Sequence, residues 1–281
     1  MSERPNVRIA LASRPENVAL VREALAGVAE SVQLGGAIED IKAAVSEAAN
    51  NVVMHAYPGG EGPLEVELAL APGEACVVVR DHGVGIGPRP VDPGDDGRGI
   101  GLAVVEALTS RMELRAHAGP GLELAMWFAI PEARRLEGLD APESFLAVPA
   151  GSAVAIAVAP AALSAPLIGR VLVALGARCS FSIDRLSDLQ LLADALCAHV
   201  GPALEGAGLS VAAGTGRRSM ELRVGPLRQG GSRSVLGDAA LAGVGPLIER
   251  LADRVDVAAD AAGEHLMLVV AEAPAGASGR R

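Results

Sequence analysis

A chain of 281 residues that is 50% apolar is long enough for two ordinary domains, and with three Phe, one Trp and one Tyr their cores must be aliphatic. A net charge of −10 argues against a general nucleic-acid surface and against an anionic membrane surface, and runs such as Ala153–Val158 are too short to span a bilayer. The opening Met1-Ser2-Glu3-Arg4-Pro5 lacks signal-peptide character, and Cys76, Cys179 and Cys197 are widely spaced in apolar stretches, so reduced thiols in a cytoplasmic protein are expected rather than a metal site or a disulfide.

In chain order, Val7–Ala12 predicts a strand, Glu16–Ala29 a helix and Ile38–Ala56 a second helix. Leu64–Leu70 and Cys76–Arg80 read as strands joined through Ala71-Pro72-Gly73-Glu74. A helix over Gly99–Ser110 and a hairpin of Met112–His117 with Leu122–Ile130 complete the first half. Between them, 88–97 carries three prolines, two glycines and three aspartates, the composition of a loop that closes over a ligand. Pro131, Pro142 and Pro149 mark an interdomain linker over 132–150.

Three places in this half carry chemistry. Glu47 and Asn51 stand four apart on the second helix, so one face presents a carboxylate beside a carboxamide. Such a pair can supply a general base and an oxygen ligand for a hard cation such as Mg²⁺, or can be a solvated helix face. Val77-Val78-Val79-Arg80-Asp81-His82-Gly83-Val84-Gly85 reads as a buried strand delivering Asp81 to a tight turn. That turn could hold a flat ligand, with Asp81 accepting from an exocyclic amine, or it could be an ordinary loop. Asp95-Asp96-Gly97-Arg98-Gly99-Ile100-Gly101-Leu102 runs into an amphipathic helix, where freed N–H groups and the helix dipole suit phosphate oxygens. Glycine-rich turns before helices are common, and it is the order of all three pieces that is specific. His55 and His82 sit beside these motifs without zinc spacing, and no Ser-His-Asp order carries a nucleophile.

With these boxes the chain resembles the GHKL ATPases, the superfamily of gyrase-type ATPases, Hsp90, histidine kinases and mismatch-repair ATPases. Within it, Ala12-Ser13-Arg14-Pro15-Glu16, Val21-Arg22-Glu23-Ala24-Leu25 and Ser46-Glu47-Ala48 through His55-Ala56-Tyr57 are most similar to the anti-sigma-factor serine kinases. The resemblance covers roughly residues 5–131 and implies an α/β two-layer sandwich, a Bergerat-type mixed sheet with helices on one face. It further implies ATP and Mg²⁺ as cofactors. Glu47 would take the proton from an attacking serine, and Asn51 would ligate Mg²⁺. Asp81 would read adenine N6, Gly83 and Gly85 would shape the adenine pocket, and Gly97, Arg98, Gly99 and Gly101 would lie along the triphosphate. The implied partners are a STAS-type anti-anti-sigma factor, which is phosphorylated, and an alternative sigma factor, which is sequestered, with no direct contact to nucleic acid or membrane. One departure is Leu122, which falls where the family has a threonine; the lost hydrogen bond, worth about 0.5–1.5 kcal/mol, weakens ATP binding.

Sliding the chain by about 144 positions lays its second half over its first, which implies two copies of one fold. Val104–Leu114 meets Leu247–Val257, Leu191 stands at Glu47, Ala195 at Asn51 and Gly225 at Asp81. The expected domains are therefore 1–131, an active-type kinase domain, and 151–273, a degenerate GHKL-like copy, followed by a disordered tail, 274–281. The alternative for the second half is an unrelated Ala/Leu-rich α/β domain. Because these kinases work as dimers, a fused dead copy implies either a dimer or an intramolecular pseudo-dimer. Two other functions compete with the kinase: an ATP-binding regulatory module without transfer, and a sensor histidine kinase fragment, which is disfavoured because no dimerisation helix with a phospho-accepting His precedes residue 5.

Overall fold

The computed structural model describes residues 5–32, 34–85, 100–116, 120–131, 152–241 and 245–272. The loop over 88–97, the linker 132–150 and the tail 274–281 fall outside these residues, as do Gly97, Arg98 and Gly99.

The first half opens with β1 (Val7–Ala12) and two helices, α1 (Pro15–Ser31) and α2 (Ala37–Asn51), the latter continuing as a π turn, Val52–Ala56. Pro15 fits the first turn of α1, where its missing N–H would have had no partner. Then come β2 (Pro63–Ala71), β3 (Glu74–Asp81), α3 (Ile100–Leu108), β4 (Arg111–Ala116) and β5 (Leu122–Ala129). Alternation sets the faces: Leu64, Val66 and Leu68 of β2 are buried beneath the helices, while Glu65 and Glu67 point the other way. There they meet Arg80 at 3.3 and 3.6 Å, and Arg8 reaches Glu67 at 3.2 Å.

The second half follows a similar order, with additions. β6 (Ser152–Val158) leads into α4 (Ser164–Arg178), α5 (Ile183–Val200), β7 (Leu209–Gly216) and β8 (Ser219–Leu227). α6 (Gly231–Asp238), a two-residue pair of β9 (Ala240–Leu241) with β10 (Gly245–Pro246), and α7 (Leu247–Leu251) follow, before β11 (Arg254–Asp260) and β12 (Gly263–Ala271).

All the long strands join one sheet in the order β11-β12-β8-β7-β6-β1-β2-β3-β5-β4. Counted outward from the middle, each half runs first, second, third, fifth, fourth. Among the described residues every pairing is antiparallel, where a mixed sheet was expected. The reason is connectivity. Two successive helices return the chain to the end it left, so β2 opposes β1, and β5 inserts between β3 and β4, separating the one pair that runs the same way.

The halves meet where β1 pairs with β6, Val7 opposite Val158, Ile9 opposite Ile156 and Leu11 opposite Val154. Above this seam α1 packs on α4 so closely that a Cβ on Gly27 would stand 2.6 Å from Leu167 N. Arg170 pairs with Glu23 at 3.0 Å and with Glu30, and Arg178 Nη1 donates to Asn17 Oδ1 at 2.9 Å. Buried Asn6 ties the two halves, its Nδ2 donating to Ala159 O at 3.4 Å and its Oδ1 accepting from Leu70 N at 2.8 Å. The stretch Ala161–Arg178 is apolar and long enough to cross a membrane by composition, but half of it is buried inside the protein, as in a core helix. No disulfide joins the cysteines.

Corresponding positions can be read from burial and hydrogen bonds. In α1 and α4, Leu20, Val21, Ala24, Leu25 and Val28 match Leu167, Ile168, Val171, Leu172 and Leu175. In α2 and α5, Ile41, Ala44, Val45, Ala48 and Val52 match Leu189, Leu192, Ala193, Leu196 and Val200. The helix ends correspond too, since Ala56 O accepts from Val84 N at 2.9 Å and Ala203 O from Arg228 N at 2.9 Å. Superposed on these stripes, Ala195 would fall at Glu47 and His199 at Asn51, one helical turn from the Leu191 and Ala195 expected. A slip of one turn preserves the buried stripe, and the π turn adds a residue that α5 lacks. Leu227 also ends its strand as Asp81 does, beneath a glycine of the next hairpin, with Gly121 over Asp81 and Gly263 over Leu227.

Candidate functional site

The site gathers at one end of the first half's strands. Ile41, Ala44, Val45, Ala48 and Ala49 fasten α2 to the sheet, leaving Glu47 and Asn51 half-buried and one turn apart. Beyond Asn51 the helix widens into the π turn, which delivers Ala56 and Tyr57 to the end of β3.

Asp81, 4% exposed, is the last residue of β3. Its Oδ1 accepts from Gly83 N at 2.8 Å, and among the described residues no other hydrogen bond reaches the carboxylate, which leaves the second oxygen for a ligand. Gly83 has to be glycine, because a Cβ there would stand 2.6 Å from Ala56 C and 2.8 Å from Ala56 Cβ. Gly85 turns the chain with φ +66°. Gly121, at φ +122°, lies across the back of the turn, where a Cβ would be 2.8 Å from His82 Cα. Continuing the β3–β5 register one step past Arg80 and Glu123 brings Leu122 opposite Asp81, the place where the missing hydroxyl was expected to act.

Gly101, in the first turn of α3, faces Glu47. A Cβ on it would overlap Glu47 Oε1 and stand 3.1 Å from Cδ, so the glycine leaves room for the carboxylate. Thus Glu47 on α2 and the helix that follows the glycine loop are in contact. Of the predicted residues, Glu47, Asn51, Asp81, Gly83, Gly85 and Gly101 occupy this end of the fold, while Gly97, Arg98 and Gly99 lie outside the described residues. The His82 ring turns to the outer sheet face, where Nε2 lies 3.2 Å from Glu65. No cluster of three or more acidic, His or Cys ligands occurs among the described residues.

Sequence reasoning assigned no part to Tyr57 or Gly121. Tyr57 Oη accepts from His82 N at 2.8 Å and donates to Pro63 O at 2.6 Å. Burial, more than the neighbouring Asp81 and Glu65 charges, raises its pKa, so at neutral pH the phenol is a donor.

A family model described as the histidine kinase-like ATPase domain matches residues 11–128, the segment that holds every one of these groups. A serine-protein kinase RsbW of Listeria monocytogenes is 34% identical over 122 residues, covering 38% of this chain and 78% of that protein. The chain belongs to the histidine kinase-like ATPases, in the anti-sigma serine-kinase family. Other relatives are an anti-sigma F factor of Clostridium kluyveri, 26% identical over 130 residues, covering 43% of this chain and 92% of that protein. A serine-protein kinase RsbW of Bacillus pumilus is 31% identical over 130 residues, covering 40% of this chain and 80% of its own. The ATPase family match stops at residue 128, so β6 through β12 lie beyond it.

Proposed function

We propose that the chain is an ATP-dependent serine/threonine protein kinase and anti-sigma factor, which phosphorylates a STAS-type anti-anti-sigma protein and sequesters an alternative sigma factor. The observation that carries this reading is the seat of the Glu47 carboxylate against Gly101, which brings the base to the helix that opens beyond the glycine loop. Glu47 takes the proton from the serine or threonine hydroxyl of the protein substrate. Asp81 fixes the adenine through the oxygen that Gly83 leaves uncommitted, and Gly83 and Gly85 keep the pocket wall to bare backbone. The half-buried Asn51 carboxamide would offer an oxygen to Mg²⁺, a hard cation that is bound through few protein oxygens. A cation held by Asn51 would supply neutralisation of charge on the phosphates. Gly97, Arg98 and Gly99 would run along those phosphates.

For the second half we propose a degenerate copy of the same domain, spanning 151–273, that serves as an in-chain second subunit. Ala195, His199 and Leu227 replace the base, the cation ligand and the adenine acid. The shared strand order and the self-matching β1–β6 seam support this reading. The test is to incubate the full chain with Mg-ATP and a STAS protein encoded beside it. Label on a serine or threonine of the STAS protein is expected, and sigma capture without any label would overturn the kinase reading.

A further inference from the structure

The turn that carries Asp81 is held by three consecutive backbone N–H groups, each with a different partner. His82 N donates to Tyr57 Oη at 2.8 Å, Gly83 N to Asp81 Oδ1 at 2.8 Å and Val84 N to Ala56 O at 2.9 Å. Two of the three partners, Ala56 and Tyr57, are neighbours at the end of the π turn, directly beyond the helix of Glu47 and Asn51. Tyr57 is anchored in its turn. Its own proton goes to Pro63 O at 2.6 Å, and its ring lies flush on Gly62, where a Cβ would come within 2.5 Å of ring Cδ1. Gly62 is itself pinned to Ser13, through Ser13 N to Gly62 O at 2.8 Å and Gly62 N to Ser13 Oγ at 3.0 Å. The hydroxyl is therefore a fixed strut between the first residue of β2 and the backbone that aims Asp81.

We infer that Tyr57 is a positioning residue for base recognition, holding the Asp81 turn in the orientation that distinguishes adenine from guanine. This rests on the reading of Asp81 as the adenine acceptor. A carboxylate selects an exocyclic amine only if its free oxygen is held in one direction; a turn released at His82 swings on its remaining bonds and loses that direction. Tripolyphosphate is the control, because neither partner of the Tyr57 hydroxyl, His82 N or Pro63 O, lies on α3.

The test uses the full chain and compares ADP, GDP and inorganic tripolyphosphate binding by calorimetry in wild type and Tyr57→Phe, which keeps the ring on Gly62 and removes only the hydroxyl. The expected result is an ADP affinity about five- to tenfold lower, with GDP and tripolyphosphate unchanged, so that the ADP-over-GDP preference shrinks by the same factor. An unchanged preference in a folded variant would overturn the role of Tyr57. A wild type with no ADP preference at all would instead overturn the assignment of Asp81. Should Tyr57→Phe fail to fold, amide exchange in the wild type decides: the His82 amide exchanges slowly in the nucleotide-free protein if the strut exists, and at open-loop rates if it does not.

Discussion

Gly101→Ala separates the two duties a glycine at this place can have. If Gly101 serves mainly the nucleotide, a methyl group there weakens ATP binding; if it serves as the seat of Glu47, the methyl group displaces the base. The structure favours the second. The added Cβ would overlap Glu47 Oε1 and sit 3.1 and 3.3 Å from Cδ and Cγ, all inside the 3.4–4 Å of ordinary contact. Because the obstruction is the end of a flexible side chain, the carboxylate yields before the helices do, by about 1 Å, and a displacement of that size at a catalytic group costs about a hundredfold in rate. Stability should not fall, since alanine is favoured over glycine within a helix by up to about 1 kcal/mol. The assay is single-turnover phosphoryl transfer to the STAS protein at saturating Mg-ATP, together with ATP affinity and thermal unfolding. A folded Gly101→Ala protein with transfer within twofold of wild type refutes the seat, and a loss confined to ATP affinity assigns the glycine to the nucleotide.

Three further outcomes follow from particular residues. Leu122→Thr, opposite Asp81, should restore one hydrogen bond and tighten ATP binding by about two- to tenfold, measured by calorimetry. Nucleotide stoichiometry should be one per chain, with Asp81→Asn abolishing adenine-specific binding, because Leu227 stands at the corresponding place of the second half; a second equivalent of ATP would show that half to be competent. In the second half, the Ala262 N–H, His265 and Arg223 hold the Asp260 carboxyl at about 2, below its ordinary 3.8. A depressed carboxyl stabilises the fold above its unfolded value and loses that effect as pH falls from about 4 to about 2, so the melting temperature of Asp260→Asn should decline less steeply over that window than that of wild type.

Strand faces were legible because Leu64, Val66 and Leu68 alternate with Glu65 and Glu67, and one period fixes both burial and charge pairing. The places of Glu47 and Asn51 on one helix and of Asp81 at a strand end were legible because each motif is local. The contact between Glu47 and Gly101 was not, since it depends on how α3 docks on α2 and no spacing in the chain encodes that. Tyr57 was visible only as part of a motif; its hydroxyl gains meaning from His82 and Pro63, which the fold brings to it. The similar order of elements in the two halves was legible, but a helical register between them was not, because a buried helical stripe looks the same after a slip of one turn. The Ala56 and Ala203 carbonyls, each at a helix end and bonded to the segment after a strand, favour the slipped helical register. The mixed sheet failed for a similar reason: the place of β5 between β3 and β4 is a pairing choice made in three dimensions.

The most direct test of the proposed mechanism is a paired measurement on Glu47→Ala: ATP affinity, and transfer of labelled phosphate to the STAS protein. If Glu47 is the base, affinity stays near wild type while transfer falls by about 10²–10⁴-fold. Transfer at the wild-type rate, with ATP still bound, would contradict the assignment.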